Sequence, residues 1–162
     1  MARYCTGSMA LDMQRVSGRP ATCGFDVTLT TPLIPKRRIL FAFGEQVVGP
    51  RWMGDIDAAF GPTGLVVCPA HSGPETIRRI EEGGLSAAVI VEDQRSIDGL
   101  SLLRIIRSID RVLPCWLLTG DTRRNTLETA LALQVTSILT SSIGPGELAA
   151  TLSRSLLATD GD

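Results

Sequence analysis

Two adjacent carboxylates, Glu92 and Asp93, close an apolar run in the stretch VIVEDQRSIDGLSLLRIIRSID. Acids in that position either form a reactive site, where their oxygens can hold a hard cation such as magnesium, or end a strand in solvent and cap the loop that follows. Hydroxyl groups recur at similar breaks in the pattern: Thr119 stands before Gly120, and Thr140, Ser141 and Ser142 stand together. Glu45 follows Phe43 and Gly44 at the end of an earlier apolar run. The single histidine, His71, precedes Ser72 and reads as a surface loop residue. Cys5, Cys23, Cys68 and Cys115 are widely separated and contain no C-x-x-C pair, so a structural zinc site and any other metal centre are not expected. Cys68 and Cys115 lie within apolar runs, where a thiol behaves as a small, inert core residue.

Composition bounds what these residues can do. The 162 residues, 44% hydrophobic and 20% charged, suit one domain with a tail. A net charge of −1 and a pI near 5.8 give no basic field for nucleic acid. Lys36 is the only lysine among 16 basic residues, so a mechanism that needs a lysine must use it. No apolar run is long enough to span a membrane, and MARYCTGSMALDMQRVSG lacks the apolar segment of a secretory signal. A cytoplasmic protein is expected, with no membrane or nucleic-acid partner.

The elements that would position the acids follow from periodicity. Residues 1–35 carry scattered Gly, Ser, Thr and Pro and read as a flexible N-terminal extension, with FDVTLTT as a possible extra edge strand. Residues 36–158 form the domain, and 159–162 a C-terminal tail. RRILFAF, GLVVC, SAAVIV, LPCWLLT and SILT are five strands. The first helix falls near 50–60, after Gly49-Pro50. Ser72 and Glu75 are spaced as a capping box for a second helix that closes at Gly83-Gly84. The third helix places Leu102, Leu103, Ile106 and Ile109 on one face, and its arginines read as solvated. Asp121 is placed to cap the fourth helix. In the fifth, Leu148, Leu152 and Leu156 recur at i, i+4, i+8.

Continuous apolar strands alternating with amphipathic helices predict an α/β, doubly wound, five-stranded parallel sheet of flavodoxin-like order 2-1-3-4-5. Its functional edge is the carboxyl ends of the strands. All the candidate acids and hydroxyls fall there.

Over roughly residues 37–157 the chain resembles the response-regulator receiver domain, the CheY-like family. The resemblance rests on Asp98-Gly99-Leu100 before LLRIIR, Pro114 with WLLTG, Ala130, and Glu147-Leu148. It implies an acidic pair after the first strand for magnesium, a phosphoacceptor Asp after the third, a Thr or Ser after the fourth, and an aromatic switch and a lysine in and after the fifth. Here the acidic pair falls on Phe43 and Gly44, with Glu45 next. The switch falls on Ile138, the lysine on Ser141 and its neighbouring proline on Ser142, and only Thr119 matches. The loop to Gly99 is two residues short, so Asp93 aligns with the acceptor only through a deletion, Glu92 lies one residue nearer the strand, and Val91 holds the ungapped position.

Magnesium needs oxygen ligands, and a transferring phosphoryl group needs positive charge around it. Both are missing from these positions. The leading expectation is therefore a non-enzymatic pseudo-receiver of a two-component-type pathway that acts by protein contact, without phosphorylation and with no cofactor. Two alternatives stand beside it. In one, Asp93 is a divergent acceptor aided by Glu45 and an arginine; in the other, a small-molecule binder uses the strand-end crevice. The signalling face the resemblance implies is the fourth helix, fifth strand and fifth helix, with Arg124, Glu128, Thr151, Arg154 and Ser155 as candidate contacts. Its partner is an unidentified protein or a second copy in a homodimer.

Overall fold

The computed structural model describes residues 36–44, 50–92 and 97–158. The chain divides into two units, Met1–Pro35 and Lys36–Asp162, and the described residues belong to the second. The N-terminal extension with FDVTLTT, residues 159–162, Glu45 and Asp93 lie outside them.

Among the described residues five strands alternate with five α-helices. They are β1 (Arg37–Ala42), α1 (Pro50–Phe60), β2 (Leu65–Ala70), α2 (Gly73–Glu82), β3 (Ala87–Val91), α3 (Gly99–Ile109), β4 (Cys115–Thr119), α4 (Arg124–Ala132), β5 (Ser137–Thr140) and α5 (Pro145–Ala158). All pairings are parallel, in the order β2-β1-β3-β4-β5. This is the doubly wound flavodoxin-like order expected from the sequence. Every β3 and β4 residue is buried, as central strands covered on both faces must be.

Side chains alternate across the sheet and so divide the core into two layers. Ile39, Phe41, Val89, Trp116 and Leu118 face α1 and α5, where Ile56, Phe60, Leu148, Leu152 and Leu156 meet them. Leu40, Ala42, Ile90, Cys115 and Leu117 face the other way, onto Ile80, Leu102, Leu103, Ile106 and Ala130 of α2–α4. Burial raises the Cys115 thiol to about 11, so it sits in the core as a neutral thiol. Cys68 is also buried.

Caps set where the helices begin. Ser72 Oγ accepts from Glu75 N at 3.3 Å, while Glu75 Oε2 accepts from His71 N at 2.8 Å. The reciprocal half of the box thus closes one residue earlier than in the usual pattern. Gly83, at φ 73°, ends α2. Asp98 caps α3 by accepting from Leu100 N, Ser101 N and Ser101 Oγ, the last at 2.5 Å.

Three expectations need correction. Ile109 is 39% exposed; the buried face of α3 ends at Ile106, and Ile109 is the last residue of the helix before its cap at Asp110. Asp121 does not cap α4, whose preceding residue is Arg123; it lies further upstream and accepts instead from Arg123 N and Thr126 Oγ1, each at 2.9 Å. Nor is Arg107 a solvated arginine. Its guanidinium donates to the carbonyls of Leu113, Leu133 and Gln134 at 2.7–2.9 Å, and to Asp110 at 3.4 Å. It ties the α3–β4 loop to the α4–β5 turn, where Gln134 is the described non-glycine residue with positive φ, at 56°.

Candidate functional site at the strand carboxyl ends

The crevice at the carboxyl end of the sheet forms where β1, β3, β4 and β5 stop. Val91, the residue at the ungapped acceptor position, is buried in the α1–α5 layer. Glu92 is the next residue. Its amide donates to Leu118 O at 2.8 Å, which extends the β3–β4 ladder by one step and turns the carboxylate to the opposite face from Val91. There Thr119 Oγ1 donates to Glu92 Oε2.

Thr119 is only 3% exposed. Its hydroxyl is fully engaged, because Asp121 N donates back to Thr119 Oγ1 at 2.9 Å. A chain of hydrogen bonds thus runs from the β4–α4 loop through Thr119 to Glu92. Thr119 thus hydrogen-bonds its own loop, and Glu92 is an additional partner.

The loop carries its own charge pair. Asp121 binds Arg123 through Nε at 3.0 and 3.1 Å and through Nη2 at 3.0 Å. The Arg123 side chain and amide, followed by the Thr126 hydroxyl, hold the Asp121 carboxyl down to about 2. Asp121 in turn favours the charged Arg123, and the Glu92 carboxylate adds to that. The loop thus presents an ion pair in which Arg123 is already matched by Asp121.

Gly99 lets α3 approach this crevice. A Cβ there would lie 2.7 Å from Leu117 Cδ1 and 3.4 Å from Glu92 Cβ, so a side chain would force either Leu117 or α3 to shift.

Of the other candidate positions, Ser141 touches the Glu92–Thr119 pair through its backbone. Phe43 is 1% exposed and packs in the α1–α5 layer, with its ring edge-on to His71 at 4.8 Å. Gly44 is buried and supplies no side-chain oxygen. Ser141 is exposed; its amide donates to Thr119 O at 3.2 Å, and its hydroxyl lies against Gly120. Ser142 Oγ donates to Thr140 Oγ1 at 3.2 Å. Among the described residues no three His, Cys, Asp or Glu side chains gather to hold a metal ion, and no helix is long and apolar enough to cross a membrane.

On the opposite flank, Arg124 pairs with Glu128 at 2.6 Å along α4, both exposed. On α5, Arg154 is exposed and donates to Ala150 O at 3.3 Å, while Thr151 and Ser155 are half-buried. Glu128 already has an arginine partner within its own helix. Sequence reading missed Arg107 and the Glu92–Thr119 bond. The short loop before Gly99 was the one signal pointing to Glu92, since it moves the first acid up to the strand end.

No protein-family model matches the chain, and no curated protein matches it. Solved structures do share its fold. A CheY-like response regulator receiver domain protein from Methanospirillum hungatei JF-1 aligns with a TM-score of 0.66 at 15% identity, over 76% of this chain and 96% of that one. A two-component response regulator from Clostridium difficile gives 0.65 at 17% identity, over 78% and 99%. The receiver domain of Francisella response regulator 1452 gives 0.64 at 21% identity, over 76% and 98%. The chain has the CheY-like, flavodoxin-type fold.

Proposed function

We propose that this domain is a receiver-like signalling or regulatory module of a two-component-type pathway, and that it works by protein contact without being phosphorylated. Its resemblance in fold to receiver domains supports the pathway class. The observation that carries phosphorylation independence is the Glu92–Thr119 bond. The carboxylate nearest the β3 end is already held by the buried hydroxyl, beside a β1 end that offers Phe43 and Gly44 where a cation would need oxygen ligands.

The working surface on this reading is α4, β5 and α5. Arg124, Glu128 and Arg154 are exposed there, Thr151 and Ser155 border them, and α4 leaves Leu131 62% exposed. Surface charges of this kind steer a partner more than they bind it. The partner is a signalling protein or a second copy of the chain.

Titration with beryllofluoride and magnesium, followed in amide spectra, tests the reading. Resonances of Glu92, Thr119 and the α4–β5–α5 face are expected to stay in place. Saturable movement of those resonances would instead mean that the crevice takes a phosphoryl group.

A further inference from the structure

Helices α2 and α3 begin on side-chain caps, Ser72 and Asp98, whereas the residue before α4 makes no such bond. Helix α4 is nine residues long, below the length at which a helix holds itself in water. Packing must then hold it, yet α4 buries Ala130 alone. By contrast α3 buries Leu102, Leu103 and Ile106, and α5 buries Leu148, Leu152 and Leu156. Leu127 is half-buried and Leu131 is exposed. An alanine brings little apolar area to the core, so polar ties at the two ends carry much of the docking.

Asp121 ties the amino end by accepting from Arg123 N and Thr126 Oγ1. At the carboxyl end Arg107 reaches across from α3. Its Nε donates to Leu133 O at 2.9 Å and its Nη2 to Gln134 O at 2.8 Å, where a cation also meets the negative end of the helix dipole. The turn under that grip is itself costly. Gln134 takes φ 56°, the left-handed conformation that favours glycine after a helix. Opening this end breaks the Arg107 bonds but relieves the turn.

We propose that α4 is a releasable strap, which undocks from the sheet as a unit without global unfolding, and that Arg107 is the clasp that sets how often it does so. A segment with few buried apolar contacts opens at low free energy. Release of α4 gives the α4–β5–α5 face two arrangements between which a partner can select. The clasp acts whether or not the crevice takes a phosphoryl group.

Hydrogen exchange of the full ¹⁵N-labelled chain, read by NMR at several low urea concentrations, tests this. The amides of Glu128 to Leu131 are expected to exchange together, at least about tenfold faster than those of Leu103 and Ile106, and with a weaker dependence on urea. Arg107→Gln should speed α4 exchange about tenfold, the loss of two charge-assisted bonds. Gln134→Gly keeps the backbone carbonyl that Arg107 holds and relieves the turn, so it should slow α4 exchange about threefold. Ile56→Val weakens the other core layer; it should speed exchange in α3 while leaving α4 unchanged. Three results would each overturn the proposal. They are α4 amides with the rates and urea dependence of α3, equal acceleration of α3 and α4 in Ile56→Val, or unchanged α4 exchange in Arg107→Gln. Should Arg107→Gln not fold, unchanged α4 exchange in Gln134→Gly would overturn it in its place.

Discussion

The hydroxyl of Thr119, at the end of β4, donates to the carboxylate of Glu92, one residue beyond β3. The same oxygen accepts from the amide of Asp121, so one buried hydroxyl joins two strand ends to the loop before α4. Thr119→Val keeps the shape but leaves both partners unmatched, and it is expected to lower unfolding free energy by about 1–3 kcal/mol. Glu92→Gln retains an acceptor and should cost under about 1 kcal/mol. Denaturant titration of the two variants separates them; equal losses would mean that the bond contributes little.

Arg107 fastens two loops through four carbonyls. Lysine carries the charge but not the planar fork. Arg107→Lys is therefore expected to destabilise by about 2 kcal/mol, whereas Arg104→Lys on the exposed side of α3 should stay within about 0.5 kcal/mol. Thermal and urea unfolding check both.

Much of this arrangement was legible in the sequence. The five apolar runs gave the strands, and Ser72 with Glu75 marked the start of α2, because these signals are local. Arg107 was not legible, because its partners at Leu133 and Gln134 lie 26 and 27 residues away and only the closed fold brings them together. At the candidate site, counting back from Gly99 favoured Asp93 only through a deletion. The extra ladder bond from Glu92 N to Leu118 O, which turns Glu92 toward Thr119, has no signature in composition. Asp121 sits where a cap was expected, yet the turn it makes with Arg123 starts α4 later.

Two glycines should respond with opposite sign to the same substitution. Gly99→Ala places a methyl 2.7 Å from Leu117 Cδ1 and is expected to cost about 1–3 kcal/mol by overpacking. Gly54, within α1, has open space where its Cβ would be, so Gly54→Ala should stabilise by about 0.5–1 kcal/mol. Paired denaturation curves test the contrast.

Asp98 carries a pH dependence of known sign. The Ser101 hydroxyl, then the amides of Ser101 and Leu100, hold its carboxyl below the usual range. A depressed folded value means that its stabilisation is complete above the unfolded value of about 4 and is lost as pH falls through the lower folded value. Asp98→Asn keeps the cap without the titration, so its stability should decline less than wild type on acidification across that window. Parallel acid-unfolding curves would speak against this assignment.

The central claim concerns chemistry at the crevice, and intact-mass spectrometry after incubation with acetyl phosphate and magnesium tests it most directly. The chain is expected to keep its original mass while a phosphorylatable receiver treated in parallel gains one phosphoryl group. Stoichiometric gain of a phosphoryl group on Asp93 or Glu92 would contradict the account.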